Sequence, residues 1–210
     1  MAKRSKRPKA RASTPRDRIL DAALDLAGKT GWRGASLGAI AAEAGLPLGE
    51  VYGEFRSRAA ILRGLIARTD AEVLATPADA EETPRDRLFE ILMRRFDALK
   101  PHRASLKSIA RDALADPPAA LCSAPAIMRS MAWMLEAAGI ATGGICGRMR
   151  VRALGLLYLS VMRVFLADES EDLAKTMAAL DRRLRQAEPW LGLGPGPFSR
   201  RGGAESRAAS

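Results

Sequence analysis

The sequence predicts an all-α fold, a small helical head followed by a larger helical bundle, with about nine helices in all. Three observations carry that expectation. Apolar residues recur at three- and four-residue steps through most of the 210 residues, no segment alternates with period two, and Gly, Pro and Asp clusters separate the periodic runs. An apolar content of 48% provides material for a real core at this length. No internal repeat is visible.

The elements follow in order. Ser13 or Thr14 caps a first helix with Pro15 at its first position, Asp17 at the positive end of its dipole, and one stripe formed by Ile19, Leu20, Ala23, Leu24 and Ala27. Ser36 caps a short second helix with Leu37, Ile40, Ala41 and Ala44 on one face, and Gly45 closes it as a left-handed cap. Pro47 opens a third short helix carrying Val51, Tyr52 and Phe55. Ser57 caps a longer fourth, with Ile61, Leu62, Leu65, Ile66 and Val73 facing inward. The polar stretch "ATPADAEETP" then separates the head from the bundle. Beyond it, Thr83 and Pro84 start a helix running to Leu99, and further helices are expected at residues 103–114, 118–138, 144–167 and 171–187. The expected organisation is a basic arm at 1–14, a head at 15–60, a bundle at 61–190 and a glycine- and proline-rich tail at 191–210.

Charge is concentrated at the ends. The whole chain carries +10, but the first 18 residues hold eight basic side chains against Asp17 alone, and the middle of the chain is close to neutral. A basic arm binds phosphates without choosing among sequences, and it also solubilises. Cys122 and Cys146 stand apart, and the lone His102 has no companion ligands, so neither a disulfide framework nor a metal site is expected. The longest uncharged apolar run of the later chain, "ALGLLYLSVM", is well short of the ~20 residues of a membrane span. No secretory leader is recognisable at the start, so a cytoplasmic protein without stable membrane insertion is expected. No nucleophile, base and oxyanion set and no phosphate-cradling glycine loop is present, which argues against an enzyme or a cofactor.

The segment at 19–62, with Gly31, Ser36, Ile40-Ala41, Ala44-Gly45, Gly49, Tyr52, Phe55 and Arg58, resembles the TetR family of bacterial transcriptional regulators. The resemblance implies a three-helix DNA-binding head whose second and third helices form a helix-turn-helix, and a dimerising, ligand-sensing bundle. It implies a double-stranded DNA operator and a homodimer, with Arg33, Ser36, Leu48, Gly49, Glu50, Tyr52, Gly53, Arg56 and Arg58 facing DNA. Ser36, Tyr52 and Arg58 would position the backbone, the last like the family's phosphate-binding lysine. The chain departs from the family at Pro47-Leu48-Gly49-Glu50 and Gly53-Glu54, where a lysine, a hydroxyl and a basic or aromatic pair are usual. Two readings stay open: either Leu48 and Glu50 read bases, through a thymine methyl and a cytosine amino group, or the head has lost DNA and serves as scaffold.

A second resemblance lies in the bundle. Pro101-His102-Arg103, Asp168, Ser170, Thr176 and Leu180-Asp181-Arg182-Arg183 are similar to the TetR-fold accessory proteins of ubiquinone biosynthesis, which bind lipid or isoprenoid. Each residue also has a plain structural use, Ser170 at a helix start and Asp181 beside Arg185 four residues on. A pocket for an apolar small molecule or lipid is expected among Met128, Met131, Trp133, Leu157, Tyr158 and Met162, although stripes of this kind also build core.

Overall fold

A computed structural model describes residues 14–115 and 123–193. The basic arm up to Ser13, Pro118 and Cys122, and the tail from Gly194 including Phe198 lie outside them. Within the described residues the chain forms nine α-helices: α1 Pro15–Lys29, α2 Leu37–Ala44, α3 Leu48–Glu54, α4 Arg58–Leu74, α5 Pro84–Leu99, α6 Arg103–Ala115, α7 Ala124–Ala137, α8 Gly144–Ala167 and α9 Ala174–Leu191. A 3-10 turn, Lys100–His102, joins α5 to α6. No strand occurs among the described residues.

Capping chemistry sets the starts of the helices. Thr14 and Asp17 form a reciprocal capping box at α1, where the Thr14 hydroxyl accepts from the Asp17 N–H at 3.1 Å. Ser36 and Ser57 accept from Ala39 and Ala60 N–H, each at 3.1 Å, and Thr83 accepts from Asp86 N–H at 3.2 Å. Gly45 ends α2 in the left-handed region at φ 62°, a conformation a side chain would strain. Pro47 is the residue before α3 and not its first.

Two apolar cores result. The first joins Ile19, Leu20, Ala23, Ala27, Ile40, Val51, Phe55 and Ile61, with Trp32 closing one side and Ile109 of α6 packed against it. The second is centred on Leu88, Leu92, Phe96, Met131, Met134, Leu154, Phe165 and Leu180. Helix α4 belongs to both, giving Ile61 to the head and Val73 to the bundle. The Phe55 ring seats directly on α4 at Gly64, where an added Cβ would stand 2.7 Å from Cε1 of the ring. Gly64→Val is therefore expected to destabilise the protein by about 1–3 kcal/mol through overpacking, read as a lower denaturation midpoint.

The last helix starts later than its sequence suggests, at Ala174 and not near Glu171. Leu173 is fully buried with φ 54°, so its side chain is drawn into the core at the expense of a left-handed backbone, and the helix begins after it. The buried Asp168 carboxylate fixes this corner, accepting from the Ser170 N–H at 3.1 Å and its hydroxyl at 2.5 Å, and from the Thr176 N–H at 2.8 Å and its hydroxyl at 2.7 Å. Ser170 also accepts from the Ala174 N–H, and Asp181 pairs with Arg185 as expected, and with Arg85 of α5 besides.

Candidate nucleic-acid interface

Helices α2 and α3 are joined by Gly45, Leu46 and Pro47, and α3 buries only Val51. Leu48, Gly49, Glu50, Tyr52, Gly53 and Glu54 are all exposed, Leu48 at 55% and Tyr52 at 60%. An apolar and an aromatic side chain left this open on a seven-residue helix are not needed by the head's own core. The short α3 is instead held from beneath by Val51 and by Phe55 at its end, both nearly inaccessible.

The cations of the head divide into two groups. Four are used internally. Arg18 donates to the Ala44 and Gly45 carbonyls at 2.5 and 3.1 Å, Arg16 pairs with Glu54 at 3.5 Å while lying over the Phe55 ring, and Lys29 pairs with Glu43 at 2.7 Å. Arg58 donates from Nη1 to the carbonyls of Trp32 and Arg33 at 2.9 and 3.3 Å, with its guanidinium over the Trp32 ring. Its place in the fold is thus a clasp between α4 and the α1–α2 turn. The outward cations are Arg33 and Arg56, both exposed and in no ion pair among the described residues. Arg56 lies 5.8 Å from the centre of the Tyr52 ring, so charge and aromatic surface leave the end of α3 together.

Helix α6 holds the turn between α1 and α2. The Trp32 N–H donates to Ser108 Oγ at 3.1 Å and the Arg33 N–H to Asp112 Oδ2 at 2.7 Å, so the turn carrying Arg33 is fastened to the bundle. Ser36, at the start of α2, is exposed, as are Arg33, Leu48, Gly49, Glu50, Tyr52, Gly53 and Arg56. Glu54 is compensated by Arg16, which leaves Glu50 as the acid of α3 without an ion-pair partner among the described residues.

The residues expected to line a pocket are dispersed. Met131, Leu157 and Tyr158 are buried in the bundle core, and Tyr158 stacks on Phe96 with centroids 5.4 Å apart. Met128 packs over Gly155, where an added Cβ would meet its Cε, and Met162 is half-buried. Trp133 is 55% exposed, because it lies about 200° round the helix from Met131. A surface cleft of about 320 Å³ runs between α8 and α9, lined by Leu156, Leu157, Ser160, Arg183, Gln186 and Trp190.

Sequence reasoning missed a polar cluster at the centre of the bundle. Arg95, only 4% exposed, donates from Nη1 to Asp70 of α4 and from Nε to the Tyr158 hydroxyl at 3.1 Å, and Ser130 Oγ donates to the same Asp70 oxygen at 2.7 Å. Burial raises the Tyr158 phenol above its ordinary value, although the neighbouring Arg95 pulls it down. The signal was available, since Arg95 falls on the stripe of Leu88, Ile91, Leu92 and Phe96. No cluster of metal-ligating side chains exists among the described residues, and no described helix is long and apolar enough to cross a membrane.

These features define a helix-turn-helix head on a helical bundle. The profile of the family described as bacterial regulatory proteins, tetR family, matches residues 19–65, the head and its junction with α4. The chain is similar over 83% of its length to 98% of a TetR transcriptional regulator from Nitrosomonas europaea, at 26% identity and a TM-score of 0.67. A TetR transcriptional regulator from a Rhodococcus species matches 82% of the chain over 94% of its own length, at 21% identity and a TM-score of 0.58. A tetR-family regulator from Streptomyces coelicolor shares the fold over 88% of this chain and 92% of its own, at 16% identity and a TM-score of 0.53. No curated protein matches the chain. The head thus matches the tetR family model, and the chain as a whole is similar in fold to TetR-family regulators.

Proposed function

We propose that the protein is a DNA-binding transcriptional repressor of the cytoplasm that works as a homodimer and is released from its operator by an apolar small molecule. The observation that carries this reading is the exposed outer face of α3, with Arg56 just past its end and in no ion pair among the described residues. Two such heads, related by a twofold axis, would occupy successive major grooves about 34–36 Å apart on a palindromic site. The effector acts by binding better to the protein in the spacing that does not fit DNA.

Support for the dimer comes from α8 and α9. Ile145, Met149, Leu156, Leu159 and Trp190 are exposed on these two helices, Leu156 at 72%, and Leu156 and Trp190 line the cleft between them. An apolar patch of this kind marks an association surface. Leu156→Glu is expected to give monomers by light scattering at micromolar concentration and to weaken operator binding at least tenfold, because each half-site is then bound alone.

The deciding experiment is selection from a random duplex pool at moderate salt, with full-length protein and with a variant lacking residues 1–13. Full-length protein should enrich a palindrome. The shortened variant should enrich the same palindrome more weakly and with a shallower salt dependence, since a basic arm contributes phosphate contacts and not base preference. A pool that stays unenriched with full-length protein refutes the reading.

A further inference from the structure

At about 100° per residue, Gly49 and Gly53 each stand two positions, or about 200°, from Val51, the residue that α3 buries. Both therefore lie within about 20° of the line pointing straight out of the head. Neither has an internal reason to be glycine. An added Cβ would meet nothing within 4 Å at either position, and neither has a positive φ. Glycine inside a helix is costly relative to alanine, and α3 has two in seven residues. The exposed ridge of the helix is thus bare backbone, with Glu50 on one flank and Tyr52 on the other, each about 80° from the outward line.

A bare ridge lets another surface approach the helix backbone by roughly the depth of a side chain more than an ordinary helix allows. In a major groove that brings short side chains on the flanks to the base edges. Glu50 carries only acceptors and has no ion-pair partner among the described residues, unlike Glu54, which Arg16 compensates. Two bases present a donor in the major groove, cytosine and adenine, but the adenine amino group stands beside the N7 acceptor, which repels a carboxylate, so cytosine is the base with which a carboxylate pairs. We propose that α3 reads DNA by close backbone approach at Gly49 and Gly53, and that Glu50 is the specificity residue, accepting a hydrogen bond from the amino group of one cytosine in each half-site. The inference rests on the DNA-binding reading above. It also accounts for the acidic α3, since the phosphate contacts are left to Arg33, Arg56 and the basic arm.

The test uses the full chain and random duplex selection, followed by titration of the selected site and of versions with each cytosine replaced. The wild type should select a half-site containing a cytosine whose replacement weakens binding on the order of tenfold to a hundredfold. Glu50→Gln should abolish that discrimination while leaving preferences at the other positions. Gly53→Ala should raise the melting temperature, because alanine favours the helix, and at the same time weaken binding to the selected site at least tenfold. A glycine with a merely structural role would give the opposite sign on melting or no effect on binding. If the wild type selects a clear site and Glu50→Gln keeps every preference, or Gly53→Ala binds as tightly as wild type, the inference is overturned and the regulator reading stands. If the wild type selects nothing, both fall.

Discussion

Replacing Asp70 by alanine is expected to cost about 3–5 kcal/mol of folding stability, the penalty of leaving a buried charge without its counterion. The charge is Arg95, 4% exposed among Phe96, Tyr158 and the α7 backbone turn that carries Ser130. With Asp70 present, the guanidinium has a carboxylate and a phenol oxygen, and that carboxylate also accepts from Ser130. Without it, Arg95 and Ser130 both lose an acceptor inside the bundle. The double variant Asp70→Ala, Arg95→Met should recover much of the loss, since no buried charge is then left without its counterion, and the cycle should show a coupling well above that of a surface pair. Additive losses in denaturant titrations would mean that the cluster is packing alone.

The position of this cluster gives it a second consequence. Asp70 lies one turn before Val73, towards the bundle end of the helix that packs under Phe55 nearer its middle, at Gly64. Helix α4 is therefore gripped by an ion pair and a hydroxyl at Asp70 and by an aromatic ring at Gly64, about two turns earlier. Any rotation of α4 relative to α5, α7 and α8 has to break a buried charged contact, so the head's orientation is tied to the bundle through a discrete set of bonds and not through general packing.

Much of the framework was legible because it is local. Thr14, Ser36, Ser57 and Thr83 each cap the helix that follows, and α8 spans 144–167 as its stripe and its flanking "TGG" and "ADES" predict. What the sequence left open depends on groups distant along the chain. Arg58 sits at the first position of α4 in either reading, but only the fold reveals that the Trp32 and Arg33 carbonyls take its hydrogen bonds. The pocket residues looked contiguous because Met131 and Trp133 are two apart in sequence, a spacing that places them on opposite sides of a helix. On α3 the residue types were plain from the start, whereas the significance of Gly49 and Gly53 required knowing that Val51 points inward and that nothing inside the head approaches either glycine.

Asp168 supports the second large expectation, a loss of stability in acid that one substitution removes. Burial by itself would raise this carboxyl, but the four hydrogen bonds from Ser170 and Thr176 outweigh it and hold the group well below the ordinary carboxylate range. Because the folded value lies below the unfolded one of about 3.9, the stabilisation is complete above about pH 5 and drains away as pH falls through the unfolded value toward the folded one. Asp168→Asn should lower stability at neutral pH by about 2–4 kcal/mol, since an amide presents one acceptor oxygen where four donors converge. The same variant should lose less additional stability than wild type between pH 5 and pH 2, and a wild-type and variant pair whose denaturation midpoints fall in parallel over that range would contradict the assignment. The effect reaches beyond the corner itself. Asp168 fixes the start of α9, which carries Trp190 on the proposed dimer face, so dissociation of the dimer on acidification should begin earlier in the wild type's pH titration than unfolding of the head does.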